Sequence, residues 1–147
     1  KKAFDLAIRE YRAAIRLKPG KGLLYNNLGV AYAMSGRYRE AIHAYRQATM
    51  NDYSKSRVYN NLGLALGKLG DYDRALDAFV KAVGEAQAYN NLGSVYLDHG
   101  KYQWAIRCFN KAIALKPEFY QTAHDNLAIA KRAWAQQAVG GRVQIRR

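Results

Sequence analysis

A single cysteine stands in the 147-residue chain, which excludes a disulfide framework and any metal site built from several thiolates. Proline is nearly as scarce, with two residues, so few places force a regular element to stop. Acidic residues are outnumbered 11 to 24 by Lys and Arg, leaving a formal net charge of +13. No apolar run reaches the length of a membrane span. The three histidines, His43, His99 and His124, are scattered, and neither a His-x-x-x-His nor a Cys-x-x-Cys spacing occurs. Glycine-rich phosphate loops are missing too. Cys108 lies in a helical pattern and reads as a packing or surface residue rather than as a nucleophile. His124 and Asp125 are neighbours on a helix, about 100° apart, and form no dyad. These absences predict that the chain is not an enzyme and holds no cofactor or metal. The chain begins Lys1-Lys2 without an initiator Met or an apolar signal stretch, so it reads as a piece of a longer protein.

Repetition is what the sequence does have. Asn26-Asn27-Leu28-Gly29 returns as Asn60-Asn61-Leu62-Gly63 after 34 residues and as Asn90-Asn91-Leu92-Gly93 after a further 30. Asp125-Asn126-Leu127-Ala128 is a weaker fourth copy. On the same ruler, Gly36-Arg37-Tyr38 with Ala41 matches Gly70-Asp71-Tyr72 with Ala75 and Gly100-Lys101-Tyr102 with Ala105. Leu17-Lys18-Pro19 reappears as Leu115-Lys116-Pro117. Self-similarity at this period is the mark of a stacked-repeat architecture.

Each unit reads as two helices. Tyr25, Leu28 and Tyr32 recur at helical spacing, as do Tyr38, Ala41, Ile42, Tyr45 and Ala48. A glycine between the halves supplies the positive φ that ends the first helix. The small residues Gly29, Gly63 and Gly93 on first helices, and Ala41, Ala75 and Ala105 on second helices, mark where helix backbones approach.

The pattern resembles the tetratricopeptide repeat (TPR) family. Its aromatic, Leu-Gly, Tyr, Ala, aromatic and Ala signature falls on Tyr25, Leu28-Gly29, Tyr32, Ala41, Tyr45 and Ala48. It falls again on Tyr59, Leu62-Gly63, Leu66, Ala75, Phe79 and Ala82. A third copy is Tyr89, Leu92-Gly93, Tyr96, Ala105, Phe109 and Ala112, followed by Pro117. The resemblance implies an all-α, right-handed α-solenoid of antiparallel helix pairs with a C-terminal capping helix. A single domain is expected over 1–138: a half repeat 1–21, repeats 22–55, 56–85 and 86–119, and a capping helix 120–138. A flexible basic tail, 139–147, should follow. The second repeat is four residues short, so its second helix is expected to end about one turn early, near Gly84.

In the TPR family first helices line a concave groove. Here the groove stripe is Leu23, Asn27, Val30 and Met34, then Arg57, Asn61, Leu64 and Lys68, then Gln87, Asn91, Ser94 and Asp98, with Asn126 continuing the asparagine row. A side-chain amide has one acceptor and two donors, so a row of amides can hold a peptide backbone. The row resembles the asparagine ladders of superhelices related to the O-linked GlcNAc transferase repeats. The short second repeat resembles pilus-assembly (tight-adherence type) TPR proteins. The same asparagines can instead bond neighbouring helices and stabilise the stack. The dicarboxylate clamp for chaperone tails is disfavoured, because Arg57 fits it but Leu23 and Gln87 do not.

The expected function is a protein–protein interaction scaffold that grips an extended peptide, in an intracellular setting. The other class considered is a basic anion-binding adaptor for nucleic acid or an acidic membrane surface. Residues 1–21 hold seven basic and two acidic side chains, and 131–147 hold five basic and none acidic. The tyrosines are committed to the core rather than free to stack on bases, so nucleic acid is the weaker expectation. Phe4, Ile8, Tyr11 and Ile15 form an apolar stripe on the first helix, whose usual partner helix is missing; part of it can pack on the helix near 22–35, and the rest is expected to drive self-association or to be covered by a longer natural chain.

Overall fold

The computed structural model describes residues 2–53, 55–117 and 121–144, with side chains described as far as residue 139. Eight helices and no strand occur among them: α1 (Lys2–Leu17), α2 (Gly22–Met34), α3 (Tyr38–Met50), α4 (Ser56–Lys68), α5 (Tyr72–Val83), α6 (Glu85–Asp98), α7 (Tyr102–Leu115) and α8 (Gln121–Gln144). Where the sequence suggests one domain over 1–138, the chain divides into two compact units, 1–83 and 84–147.

In unit 1, α2 pairs with α3 and α4 with α5; α1 packs on α2, α3 on α4, and α2 also lies beside α4. In unit 2, α6 pairs with α7, and α8 packs against both. Every pair is built around the same contact. A Cβ added at Gly29 would sit 2.5 Å from the Tyr45 ring, and at Gly63 or Gly93 it would sit 2.6 or 2.5 Å from Phe79 or Phe109. Those distances are inside van der Waals contact, so only glycine lets the ring lie flat on the first helix. The partner of each glycine is thus the aromatic residue of the second helix rather than the alanine four positions before it. Ala41, Ala75 and Ala105 are also fully buried, so both small residues are needed.

The turns inside the pairs are equally regular. Arg37 N–H donates to the Tyr32 carbonyl at 2.9 Å and Gly36 N–H to the Ala33 carbonyl at 3.0 Å. The same two bonds recur at Asp71/Gly70 and at Lys101/Gly100. This double closure over a left-handed glycine ends each first helix, and at the first of them Ser35 Oγ also donates to the Tyr32 carbonyl at 2.8 Å.

The four residues absent from the second repeat come mainly out of the connection, not out of the helix. α5 has 12 residues against 13 in α3, whereas residues 51–55 between α3 and α4 are replaced by Gly84 alone between α5 and α6. Gly84 has φ 80 and ψ 169, a region essentially confined to glycine. At the other end, α8 continues past residue 138 to Gln144, so most of the expected flexible tail is helical. Ala135, Gln136, Gln137 and Ala138 are good helix formers, and nothing before Gly140 interrupts them. Residues 145–147 and the start of the expected capping helix at 120 lie outside the described residues.

Candidate functional site

α2 carries much of the unit 1 site: apart from Asn26 and Asn27, its sequence, GLLYNNLGVAYAM, spreads apolar and small residues round the whole helix. Such a helix is normally covered on every side. One face is covered: Leu28, Ala31 and Tyr32 are buried. Another is not: Leu23 is 49% exposed, Val30 38% and Met34 63%, with Leu64 of the adjacent α4 at 44%. Arg57 and Lys68 on α4 are also exposed. Asn27 and Asn61 lie half-buried along the same stripe, so all eight unit 1 residues expected from the sequence fall on α2 and α4.

The unit 2 residues fall on a different kind of surface. Gln87 and Asp98 are exposed on α6, and Asn91 and Ser94 are half-buried. Ser94 Oγ donates to the Asn90 carbonyl at 3.2 Å. Asn126 on α8 donates its Nδ2 to Oδ1 of Asn90 at 3.0 Å, joining α8 to α6. At that rung the amide row stabilises the stack. Asn90, the accepting partner at that rung, is only 8% exposed.

The equivalent corner of unit 1 is arranged otherwise. Asn26 is 4% exposed and occupies the repeat position of Asn90, while Asn61 occupies that of Asn126. Yet Asn26 donates its Nδ2 to its neighbour Asn27 at 3.2 Å, and its buried Oδ1 has no partner among the described residues. Asn61 is not spent on it.

Burial of Cys108 pushes its thiol up to about 11, and burial of Tyr45 pushes its phenol up to about 12. Neither ionises readily near neutral pH. A hydrogen bond from Arg37 at 2.8 Å holds the Glu40 carboxyl below its ordinary range, and Arg74 does the same for Asp71. Both pairs brace the first turn of a second helix. Among the described residues, no cluster of three or more metal-ligating side chains occurs, and no helix is long and apolar enough to cross a membrane.

Comparison with known proteins agrees with this architecture. Tetratricopeptide repeat family models match residues 3–54 and 35–91, and another matches 86–119. A solved structure of MamA superposes with a TM-score of 0.66 at 29% identity, over 90% of this chain and 79% of that one. YrrB, described as a TPR protein with an unusual peptide-binding site, superposes with a TM-score of 0.62 at 21% identity, over 88% and 68%. The first TPR of Spaghetti (RPAP3), solved bound to an HSP90 peptide, gives 0.54 at 24%, over 78% and 94%. At those identities the last two speak to the fold. No curated protein gives a significant match. Family matches running from residue 3 to residue 119, on helix pairs built around Gly29, Gly63 and Gly93, make this chain a member of the tetratricopeptide repeat family.

Proposed function

We propose that the protein is an interaction scaffold whose α2/α4 face, in unit 1, binds an extended peptide segment of a partner protein. The observation that carries this reading is the state of Asn61. Its repeat equivalent Asn126 is spent on Asn90, whereas Asn61 makes no such bond to Asn26 and keeps its amide for a ligand. Asn27 and Asn61 then pair with the C=O and N–H groups of the peptide. Leu23, Val30, Met34 and Leu64 take apolar side chains beside them, and Arg57 takes an acidic side chain or a terminus. Gln87, Asn91, Ser94, Asp98 and Asn126 form the corresponding face of unit 2, which is more polar and to which we assign the lesser share.

Each neutral hydrogen bond nets roughly 0.5–1.5 kcal/mol, so two amide contacts supply about 1–3 kcal/mol and apolar burial supplies the rest. Ordering the peptide opposes this, so affinity is expected in the micromolar range. The test begins with peptides selected from a displayed random library on the whole chain. Asn61→Ala is expected to weaken the selected peptides about tenfold, equivalent to about 1.4 kcal/mol, with the melting temperature unchanged. If Asn61→Ala instead lowers the melting temperature sharply and leaves binding intact, the row is a structural ladder and the reading fails.

A further inference from the structure

The opposite face of α2, where Leu28 and Tyr32 are buried and Tyr25 is half-buried, borders a groove whose chemistry is different. α1 and α3 each pack on α2 but not on one another among the described residues. The gap between them is a groove of about 620 Å³. Tyr25, Leu28 and Tyr32 form its floor, half a turn round α2 from Leu23, Val30 and Met34. Ile15 and Ala44 add apolar surface from the two walls. The rims are cationic: Arg12 and Arg16 stand one turn apart on α1, and Arg39 and His43 one turn apart on α3.

The charges there are unbalanced. Glu40 is the one carboxylate among the lining residues, and its Oε1 is already engaged by Arg37 at 2.8 Å. Arg12, Arg16 and Arg39 have no ion pair among the described residues. Guanidiniums facing one another across an apolar trough repel unless an anion joins them, and a carboxylate accepts two parallel N–H bonds from arginine. An apolar floor between such rims suits a chain that is acidic and apolar by turns.

We propose that this α1/α2/α3 groove is a second peptide site, which binds an acidic segment carrying an aliphatic or aromatic anchor. The anchor sits on Leu28 and Ile15, and flanking carboxylates pair with Arg12 or Arg16 on one rim and Arg39 on the other. A nucleic acid fits less well. Tyr32 is buried and its ring is already covered by Arg37, 4.7 Å from the centroid, which removes a stacking platform. A flat bilayer fits less well too, because the floor is recessed between two helices.

The probe is a fluorescein-labelled nonapeptide alternating glutamate with leucine and phenylalanine, measured by anisotropy against the whole chain. Its control replaces each glutamate by glutamine. The acidic probe is expected to bind in the micromolar range, the glutamine peptide at least tenfold more weakly. Arg12→Glu combined with Arg39→Glu should weaken the acidic probe at least tenfold with an unchanged circular dichroism melt, since both side chains are exposed. Arg132→Glu, a charge change outside the groove lining, should leave binding within about twofold. In the unmodified chain, amide shifts on adding probe should centre on Ile15, Leu28 and Ala44. The proposal is overturned if the probe fails to bind, if the glutamine peptide binds as well, or if the double reversal changes nothing. It is also overturned if shifts centre on Leu23, Val30 and Met34, which would assign the probe to the other face. Binding of phosphatidylserine vesicles but not of the probe, lost on the same double reversal, would replace the peptide by a membrane surface.

Discussion

Asn26 and Asn90 open the same tetrapeptide, Asn-Asn-Leu-Gly, at the same turn of a first helix, and both are buried. Around Asn90 the following helix delivers Asn126, and the amides close at 3.0 Å. Around Asn26 the following helix delivers Asn61, and Oδ1 stays without a partner. The burial is alike, and the corners differ in hydrogen bonding: Asn26 Nδ2 donates to its neighbour Asn27, whereas Asn90 Oδ1 accepts from Asn126 Nδ2. A repeated polar residue therefore has no single role: it is a rung where its neighbour arrives within bonding distance, and an open amide where it does not. The surrounding surfaces follow suit. Unit 1 exposes Leu23, Val30, Met34 and Leu64, whereas the equivalent unit 2 stripe is Gln87, Ser94 and Asp98.

The largest expected effect concerns what the two units share. Gly29→Ala and Gly93→Ala each drive a methyl into a buried ring at 2.5 Å. Each should cost about 3 kcal/mol, the upper part of the usual overpacking range, as read by urea unfolding. Equal losses would show that the pairs are built alike; a much smaller loss at either glycine would mean that its ring can move aside.

The next effect should separate the units. Asn90→Ala strips Asn126 of its acceptor and should cost about 2 kcal/mol, the scale of a half-buried donor left unpaired. Asn26→Ala removes an oxygen that is already unpaired and should cost less than half as much. Equal costs, measured by the same unfolding, would mean that the Asn26 amide is bonded in solution and that the contrast between the corners is false.

The smallest effect is electrostatic and belongs to unit 1. Arg37 lowers the pKa of Glu40, so the folded carboxyl loses its proton more readily than the unfolded one. Stability from that pair is therefore complete above the ordinary Glu value of 4.5 and drains away as pH falls through the lower folded value. Asp71 with Arg74 behaves in the same sense. Both pairs are exposed, so the effect is small and fades with salt. Glu40→Gln should flatten part of the fall in melting temperature between neutral and acid pH; an unchanged profile would show that the pair contributes nothing.

Period and helix pairing follow from the sequence alone, because each depends on residues within one repeat; that each glycine meets an aromatic ring was decided by packing. Leu28, Gly29, Ala41 and Tyr45 are close in the chain, and their helical spacing by itself dictates which faces meet. The exposed stripe from Leu23 to Met34 was legible for the same reason. What escaped is what depends on elements meeting across repeats. Whether Asn61 or Asn126 forms a rung turns on contacts between repeats that Asn-Asn-Leu-Gly does not encode. The four missing residues could have shortened α5; packing of Ala78, Phe79 and Ala82 kept the helix, and the connection shrank to Gly84. The cationic groove joins Arg12 to Arg39 across a gap that exists only because α1 and α3 rest on α2 without touching. Local periodicity determines the repeats, since it needs only neighbours in sequence; the sites were decided by tertiary packing, since a groove is the distance between helices and a hydrogen bond tolerates little error in it.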